Sequence, residues 1–293
     1  MIKLLTLDLD GTVLDSRGRI PEQNVRAIRA AEDAGVLVTI ATGRRFRDAR
    51  PVGLELGLNA PLITHNGALL KYAASLEAVA YSLLESERSY EIIQVGKSFG
   101  GDALVSADPH GKGTLLYDRV SDDNVPLQKY IAWSRALHGD DAEDAIHHVH
   151  SLEDILQKHE VIHISFSGTC DRMADLRTVL DAELGDTVTL LATIYPHLDF
   201  TLLDILPAEA SKGVGVERLA ALNGIGRDEV MAIGDNYNDL EMLEFAGTAV
   251  VMGNADPELL ARDEFFTTSG NDENGVAGAI KQYILEPEQT PHR

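Results

Sequence analysis

The chain is short of cysteine, of basic residues and of long apolar runs. Among its 293 residues there is one cysteine, Cys170, so an internal disulfide is excluded and a reducing compartment is favoured. A leader peptide would need a longer apolar run than the one that Asp8 and Asp10 interrupt. No segment approaches the ~20 apolar residues of a membrane span. We therefore expect a cytoplasmic protein with no membrane partner.

Basic residues are fewer than acidic ones. The chain has 25 Lys and Arg and 47 Asp and Glu, which gives a net charge of −22. A surface with this charge repels nucleic acid, so no nucleic-acid partner is expected. An anionic substrate would need a local patch of positive charge, supplied by a metal ion, a lysine or helix N-termini. The composition is 44% hydrophobic, so the chain can bury a sizeable core, and its length suits two domains.

Apolar segments typical of buried strands alternate with helical patterns at both ends of the chain. This alternation predicts an α/β fold with a Rossmann-like, doubly wound parallel sheet and right-handed crossovers. The predicted strands are residues 2–8, Val36–Ala41, Leu62–Thr64, Glu229–Ile233 and Thr248–Met252. The predicted helices are Pro21–Asp33, Arg45–Leu56, Ser211–Leu222, Asn236–Phe245, Pro257–Arg262 and Val276–Leu285.

The middle of the chain carries none of the Asp-Leu-Asp-Gly, Thr-Gly-Arg or Ser-Lys-Gly motifs that the flanking segments carry. Its helical and strand-like patterns predict an α+β domain over residues 85–194, inserted into a sheet domain of residues 1–84 and 195–293. Hinges for a lid motion are expected near residues 84 and 195. The tail from Glu286 carries two prolines and is predicted to be loose.

Two carboxylates stand at the end of the first predicted strand, in Asp8-Leu9-Asp10-Gly11-Thr12-Val13-Leu14. Open parallel sheets bind ligands beyond the carboxyl ends of their strands. There Asp8 could act as a nucleophile that forms an aspartyl-phosphate. Asp10 could give a proton to the leaving oxygen and later take one from water. The alternative is a turn-forming Asp-Gly at a strand end, which is common.

Three further polar segments also follow predicted strands. Thr42-Gly43-Arg44 can bind an anion through a hydroxyl and free N–H groups at a helix start. Lys212, after the strand Leu202–Leu206, can neutralise a phosphate. Asp235 and Asp239 suit a magnesium ion. Taken singly, these segments could instead be an N-cap, a solvated lysine and an acidic first turn. Because all of them end candidate parallel strands, we expect them to converge.

This ordered set resembles the motifs of the haloacid dehalogenase (HAD) superfamily of phosphotransferases. It is most similar to the Cof-like branch of sugar-phosphate and related phosphatases, and the resemblance covers residues 1–84 and 195–285. The matching segments are Asp8-Leu9-Asp10-Gly11-Thr12, Thr42-Gly43-Arg44, Thr64-His65-Asn66-Gly67-Ala68, Ser211-Lys212-Gly213, Gly234-Asp235 through Asn238-Asp239, and Val251-Met252-Gly253-Asn254-Ala255.

The resemblance implies a magnesium-dependent phosphatase with the inserted cap domain of this branch. Asp8 would be the nucleophile and a metal ligand, and Asp10 the general acid/base with its backbone carbonyl on the metal. Asp235 would be a further ligand, and Asp239 would support the metal and Lys212. The phosphoryl group would be held by Thr42, Gly43, Lys212 and Asn238, with Arg44 and Asn66 as candidate substrate contacts.

The substrate implied by the resemblance is a small phosphorylated metabolite, with sugar phosphates favoured, and the chain could be a monomer or a homodimer. Two other functions share these motifs. One is a phosphomutase, which returns the phosphoryl group to a substrate. The other is a non-catalytic phosphate-binding regulatory protein, which the presence of both Asp8 and Asp10 disfavours.

Overall fold

The computed structural model describes residues 1–208 and 210–287. Beyond Pro287, the predicted loose tail lies outside the described residues. The strands, in chain order, are β1 (Leu4–Leu7), β2 (Leu37–Ile40), β3 (Leu62–Thr64), β4 (Leu69–Lys71), β5 (Ala78–Tyr81), β6 (Asp102–Ala107), β7 (Thr114–Tyr117), β8 (Ile146–His148), β9 (Val161–Gly168), β10 (Val188–Tyr195), β11 (Phe200–Pro207), β12 (Val230–Gly234), β13 (Thr248–Val251) and β14 (Phe266–Thr267).

The helices, in chain order, are α1 (Glu22–Asp33), α2 (Phe46–Leu56), α3 (Ser86–Ser98), α4 (Val125–His138), α5 (Ala142–Ala145), α6 (Cys170–Leu184), α7 (Lys212–Leu222), α8 (Leu240–Phe245), α9 (Pro257–Leu260) and α10 (Gly275–Ile280). Over the described ranges, these helices are all too short or too polar to cross a membrane.

The described residues form two compact units. The first, called the core unit, comprises Met1–Arg44, Ala49–Ala80 and the chain from Ser211 onward. The second, called the inserted unit, comprises Arg45–Asp48 and Tyr81–Ala210.

A parallel sheet lies at the centre of the core unit, with the strand order β14-β13-β12-β1-β2. Every residue of β1 is fully buried, including Leu4, Leu5 and Leu7. Such continuous apolar strands are typical of parallel sheets that are covered on both faces. The arrangement confirms the predicted α/β fold class. It also brings the carboxyl ends of β2, β1 and β12 to one edge of the sheet.

Helices α7 and α8 pack on the core sheet through apolar side chains. Val216 and Leu219 of α7 and Met242 and Leu243 of α8 are buried in one cluster with Val230 of β12. Full burial of each such side chain stabilises the fold by about 1.5–3 kcal/mol. This packing fixes the start of α7 and the turn before α8, which both carry residues of the candidate site.

The inserted unit has its own sheet, with the strand order β10-β11-β9-β6-β7-β8. Neighbouring strands are antiparallel except β7 and β8, which are parallel. Helices α3 and α6 cover one face, where Ile93, Phe166 and Leu176 are fully buried. A Cβ atom at Gly96 of α3 would lie 2.0 Å from the Phe166 ring, so a glycine lets this helix approach the sheet.

One expectation about the strand before Lys212 is wrong. The predicted strand Leu202–Leu206 lies in β11, which pairs antiparallel with β9 and β10 in the inserted unit. Lys212 therefore does not follow a strand of the core sheet. Residue 195, the expected domain boundary, is the last residue of β10, and the inserted unit runs to Ala210. An apolar strand has the same sequence pattern in either kind of sheet, so the pattern could not identify its partners.

A buried ion pair between Arg45 and Asp48 lies within the inserted unit. Asp48 accepts hydrogen bonds from Arg45 Nε at 2.8 Å and from the Tyr130 hydroxyl at 3.1 Å, and it lies 2.8 Å from His138 Nε2. Arg45 also donates to Ser134 Oγ at 3.1 Å. Burial favours the neutral carboxyl, but Arg45 and His138 lower the pKa of Asp48 below its usual value.

Removal of the Asp48 carboxylate should destabilise the inserted unit, because the buried guanidinium of Arg45 would lose its counter-charge. We expect Asp48→Ala to lower the free energy of unfolding by about 3–5 kcal/mol. Urea denaturation followed by the fluorescence of Trp133, the single tryptophan, measures this change. The control is Glu91→Ala, which breaks a surface pair with Arg88 and should have a far smaller effect. Equal losses in the two variants would contradict the prediction.

Candidate active site

The carboxyl ends of three parallel strands carry polar residues of the candidate site. Asp8 follows β1, Thr42 lies just beyond β2, and Asp235 follows β12. Parallel pairing of these strands places their ends side by side. Lys212 reaches the same edge from the first turn of α7, whose N-cap Ser211 accepts a backbone hydrogen bond. Segments that are distant in the sequence therefore meet at one edge of the core sheet.

Lys212 is the centre of a buried charge cluster. Its side chain is 1% exposed, and its Nζ donates to Asp8 Oδ1 and to Asp239 Oδ1, each at 2.6 Å. Burial by itself favours the neutral amine, but the carboxylates of Asp239 and Asp8 raise the pKa of Lys212 above its usual value. The two contacts therefore favour the charged ammonium between the carboxylates.

The pKa values of Asp8 and Asp235 are both raised. Burial and the carboxylate of Asp239 raise the pKa of Asp8 well above its usual value, and Lys212 offsets only part of this effect. Burial and Asp239 also raise the pKa of Asp235 to about 6. In both residues burial is the largest cause, and Lys212 lowers the pKa by less than burial and Asp239 raise it.

The cluster has the donor set of a metal site. Carboxylate oxygens of Asp8, Asp235 and Asp239 lie within 4.8 Å of one another and could hold one ion. Three carboxylates against one ammonium suit a hard divalent cation with oxygen ligands. In Asp239, Oδ1 already binds Lys212, and Oδ2 accepts from the N–H groups of Asp235 and Asn236 at 2.9 and 3.0 Å. Asp8 and Asp235 are thus better placed as direct ligands, with Asp239 supporting them.

The turn after Asp8 packs against Asp235. Gly11 has a φ of 84°, and a Cβ atom there would lie 2.3 Å from Asp235 Oδ2, so this position requires glycine. The Thr12 hydroxyl donates to Asp235 Oδ1 at 2.9 Å. Thr12 therefore orients a candidate metal ligand, a role that its place in the motif did not reveal.

Asp10 has surroundings unlike those of Asp8. Its side chain is 59% exposed and forms a two-bond ion pair with Arg44, with Nε to Oδ2 at 2.8 Å and Nη2 to Oδ1 at 2.5 Å. Arg44, a candidate substrate contact, thus has a protein partner in this structure. The pair joins the turn after β1 to the loop after β2.

The turn after β3 supports the Thr-Gly-Arg loop. The N–H of Asn66 donates to the carbonyl of Thr42 at 3.1 Å, and the N–H of His65 to that of Arg44 at 3.0 Å. The Asn66 side chain lies over Gly43, where a Cβ atom would come within 3.1 Å of its Oδ1. In the described structure, this buried Oδ1 has no hydrogen-bond partner. An unsatisfied buried amide oxygen is unfavourable, so a donor from a ligand would stabilise it.

The structure gathers most of the predicted residues into two hydrogen-bonded groups. Asn238, by contrast, is exposed in the turn after Asp235. The first group consists of Asp8, Lys212, Asp235 and Asp239. The second consists of Asp10, Arg44, Thr42 and Asn66, with Gly43 beneath the Asn66 amide.

Several known proteins are similar to this chain over nearly its whole length. A family model for haloacid dehalogenase-like hydrolases matches residues 5–280. The stress response protein YhaX of Bacillus subtilis (strain 168) is 31% identical over 290 residues, 96% of this chain and 93% of that protein. The 5-amino-6-(5-phospho-D-ribitylamino)uracil phosphatase YwtE of the same bacterium is 31% identical over 293 residues, 97% of this chain and 98% of that protein.

A solved structure is similar in fold. A haloacid dehalogenase-like hydrolase from Bacteroides thetaiotaomicron superposes with a TM-score of 0.78 at 26% identity, covering 96% of this chain and 99% of that one.

The raised pKa of Asp235 predicts how the stability of the metal-free protein depends on pH. A carboxyl with a higher pKa in the folded than in the unfolded state stabilises the fold at low pH, and this contribution is lost as pH rises through about 6. An asparagine at position 235 cannot ionise, so the Asp235→Asn variant should not lose this stability as the pH rises. In EDTA, the Tm of Asp235→Asn minus that of the wild type should therefore increase from acidic to neutral pH.

The control is Asp263→Asn, which makes the same charge change at an exposed position of the core unit. If both variants show the same dependence on pH relative to the wild type, the effect is a general one of net charge and the prediction for Asp235 is wrong.

Proposed function

Since the chain belongs to the family of haloacid dehalogenase-like hydrolases, we propose that it is a phosphatase that hydrolyses a small phosphomonoester through an aspartyl-phosphate on Asp8. The observation that carries this proposal is the buried contact of Lys212 with Asp8 and Asp239. Phosphoryl transfer depends mostly on positioning and on neutralising charge. A buried carboxylate beside an ammonium, at the edge of a parallel sheet, meets both requirements.

In the first step an oxygen of Asp8 bonds to phosphorus, and the bond from phosphorus to the ester oxygen breaks. Lys212 favours the ionised form of Asp8 and partly neutralises the incoming phosphoryl group. Asp10 gives its proton to the leaving oxygen. In the second step Asp10 takes a proton from water, whose oxygen attacks phosphorus, so that phosphate leaves and the carboxylate of Asp8 is restored.

Asp10 must leave Arg44 before it can donate a proton to the leaving oxygen, because both of its carboxylate oxygens accept hydrogen bonds from the guanidinium in this structure. Parting of this pair frees the Asp10 carboxyl for the leaving oxygen. It also frees a guanidinium, whose fork of N–H donors matches the oxygens of a phosphoryl group. Arg44 can therefore contact first Asp10 and then the substrate.

Magnesium is the proposed cofactor, held by the carboxylates of Asp8 and Asp235 and the backbone carbonyl of Asp10, with Asp239 in support. When bound, it would supply positive charge for the phosphoryl oxygens. The proposed phosphoryl contacts are Thr42, Gly43, Lys212 and Asn238.

The proposed substrates are phosphorylated sugars or polyols. The unpartnered Oδ1 of Asn66 is an acceptor that a substrate hydroxyl would satisfy. The name of the relative YwtE describes a phosphatase for a phosphorylated ribityl compound, which is a polyol phosphate.

The net charge of −22 disfavours nucleic acid as a partner. With Cys170 as the single cysteine, we place the reaction in the cytoplasm.

Asp8→Asn should abolish phosphatase activity, because an amide cannot replace the carboxylate nucleophile. Phosphate release is measured from a panel of sugar phosphates, nucleotides and p-nitrophenyl phosphate, with Mg²⁺ or with EDTA. We expect the wild type to require Mg²⁺, and kcat of Asp8→Asn to fall by about 10⁴-fold or more. Asp263→Asn, which makes the same chemical change at an exposed position, should retain activity.

Full activity of Asp8→Asn would refute the assignment of Asp8 as the nucleophile. Full activity in EDTA would refute the requirement for a metal ion. Transfer of phosphate from a bisphosphate to a monophosphate sugar, without release to water, would instead identify a phosphomutase.

Asp10→Asn should affect substrates according to their leaving groups. A sugar alkoxide needs a proton to depart, whereas p-nitrophenolate departs without one. We expect kcat/KM for sugar phosphates to fall by about 10²- to 10⁴-fold, and that for p-nitrophenyl phosphate to fall far less. Equal losses for both substrates would contradict a role of Asp10 as the general acid.

A further inference from the structure

The turn Met252–Asp256, which follows β13, is bonded to the end of β12. The N–H of Met252 donates to the carbonyl of Gly234 at 3.0 Å, and the N–H of Asp256 donates to the carbonyl of Asp235 at 3.1 Å. The backbone of this turn is therefore fixed relative to Asp235, one of the candidate metal ligands.

The side chain of Asn254 extends from this turn to a second strand end. Its Nδ2 donates to the carbonyl of Gly11 at 2.9 Å, and its Oδ1 accepts from the N–H of Asn271 at 2.8 Å. In the sheet, β12 lies between β13 and β1. Asn254 thus reaches past the end of β12 to hold the turn after β1, and both ends of its amide are satisfied by backbone groups.

The loop before α10 reinforces this contact from the same side. Asn271 Nδ2 donates to the carbonyl of Leu14 at 2.9 Å, and the N–H of Ser16 donates to Asp272 Oδ1 at 2.9 Å. The turn after β1 is therefore held at Gly11 by Asn254 and at Leu14 and Ser16 by the loop before α10.

The position of the Gly11 peptide affects several residues of the candidate site. It lies between Asp10 and Thr12, and its Cα packs so closely on Asp235 that a Cβ atom would clash. A shift of its carbonyl would move Asp10 and also the Thr12 hydroxyl that binds Asp235. Displacements of about 1 Å in a reacting constellation can reduce rates by about 10²-fold.

We propose that Asn254 is a positioning residue for the phosphatase reaction. By holding the Gly11 carbonyl, it sets the place of Asp10 and the bond between Thr12 and Asp235. This inference rests on the proposed function. Because Asn254 is exposed, water can replace its hydrogen bonds in a variant, and we expect the fold to be retained. Water cannot hold the two turns at a fixed distance as the Asn254 amide does. Loss of this side chain should therefore lower the rate of the reaction.

The test compares Asn254→Ala with Asn59→Ala, a matched control. The Asn59 amide also bridges two backbone groups, the carbonyl of Val36 at 3.0 Å and the N–H of Val38 at 2.9 Å, but at the amino end of β2. We expect Asn254→Ala to lower kcat about 10- to 100-fold while KM stays within about threefold. Asn59→Ala should retain the kcat of the wild type.

Asn254→Asp separates the two hydrogen bonds of the bridge. It keeps an acceptor for the N–H of Asn271 but places an oxygen where the donor to Gly11 stood. We expect the same loss of kcat as in Asn254→Ala. A wild-type kcat in Asn254→Asp, or an equal loss of kcat in Asn59→Ala, would overturn the proposal.

Hydrogen exchange followed by mass spectrometry gives a readout that does not depend on turnover. Residues 9–16 should exchange faster in both Asn254 variants than in the wild type, and at the wild-type rate in Asn59→Ala. If the wild type hydrolyses phosphomonoesters but Asn254→Ala matches it in kcat and exchange, the inference is wrong. If the wild type hydrolyses none, the proposed function fails and the inference with it, whatever the exchange shows.

Discussion

The hydrogen bonds of Lys212 to Asp8 and Asp239 determine the geometry of the candidate site. An ammonium that is 1% exposed is stable only with carboxylates beside it, and the carboxylates would repel each other without it. The contact with Asp8 joins residues that are 204 positions apart. It therefore ties the first strand of the core sheet to the helix that begins after the inserted unit. The position of each partner depends on the other.

Asp8 and Asp10 are two residues apart, yet their partners differ. Asp8 is buried against Lys212, whereas Asp10 is exposed and paired with Arg44. A nucleophile must stay ionised and fixed, and a general acid must be able to move and to exchange protons with water. The two environments suit these two tasks, and different surroundings for paired carboxylates are how such sites divide their roles.

Much of the core unit could be predicted because β1, β2 and β12 are short, mostly apolar runs that are followed by polar motifs. The convergence of Asp8 and Asp235 follows from parallel pairing alone. The partners of β11 could not be predicted, because an apolar strand looks alike in parallel and antiparallel sheets. The contact of Arg44 with Asp10 and that of Asn254 with Gly11 also escaped prediction, since they depend on the backbone path between distant turns.

The ion pair of Arg45 and Asp48 limits the order in which the chain can acquire its structure during synthesis. Tyr130 lies 82 residues after Asp48, and His138 lies 90 residues after it. Until α4 has left the ribosome, the pair lacks its partners Tyr130, Ser134 and His138, and both charges remain hydrated because burial of incompletely paired charges is strongly unfavourable. The first turn of α2 can therefore reach its final environment only after the inserted unit has been made as far as His138. An element that lies early in the sequence is thus fixed only after a segment about 90 residues later has been made.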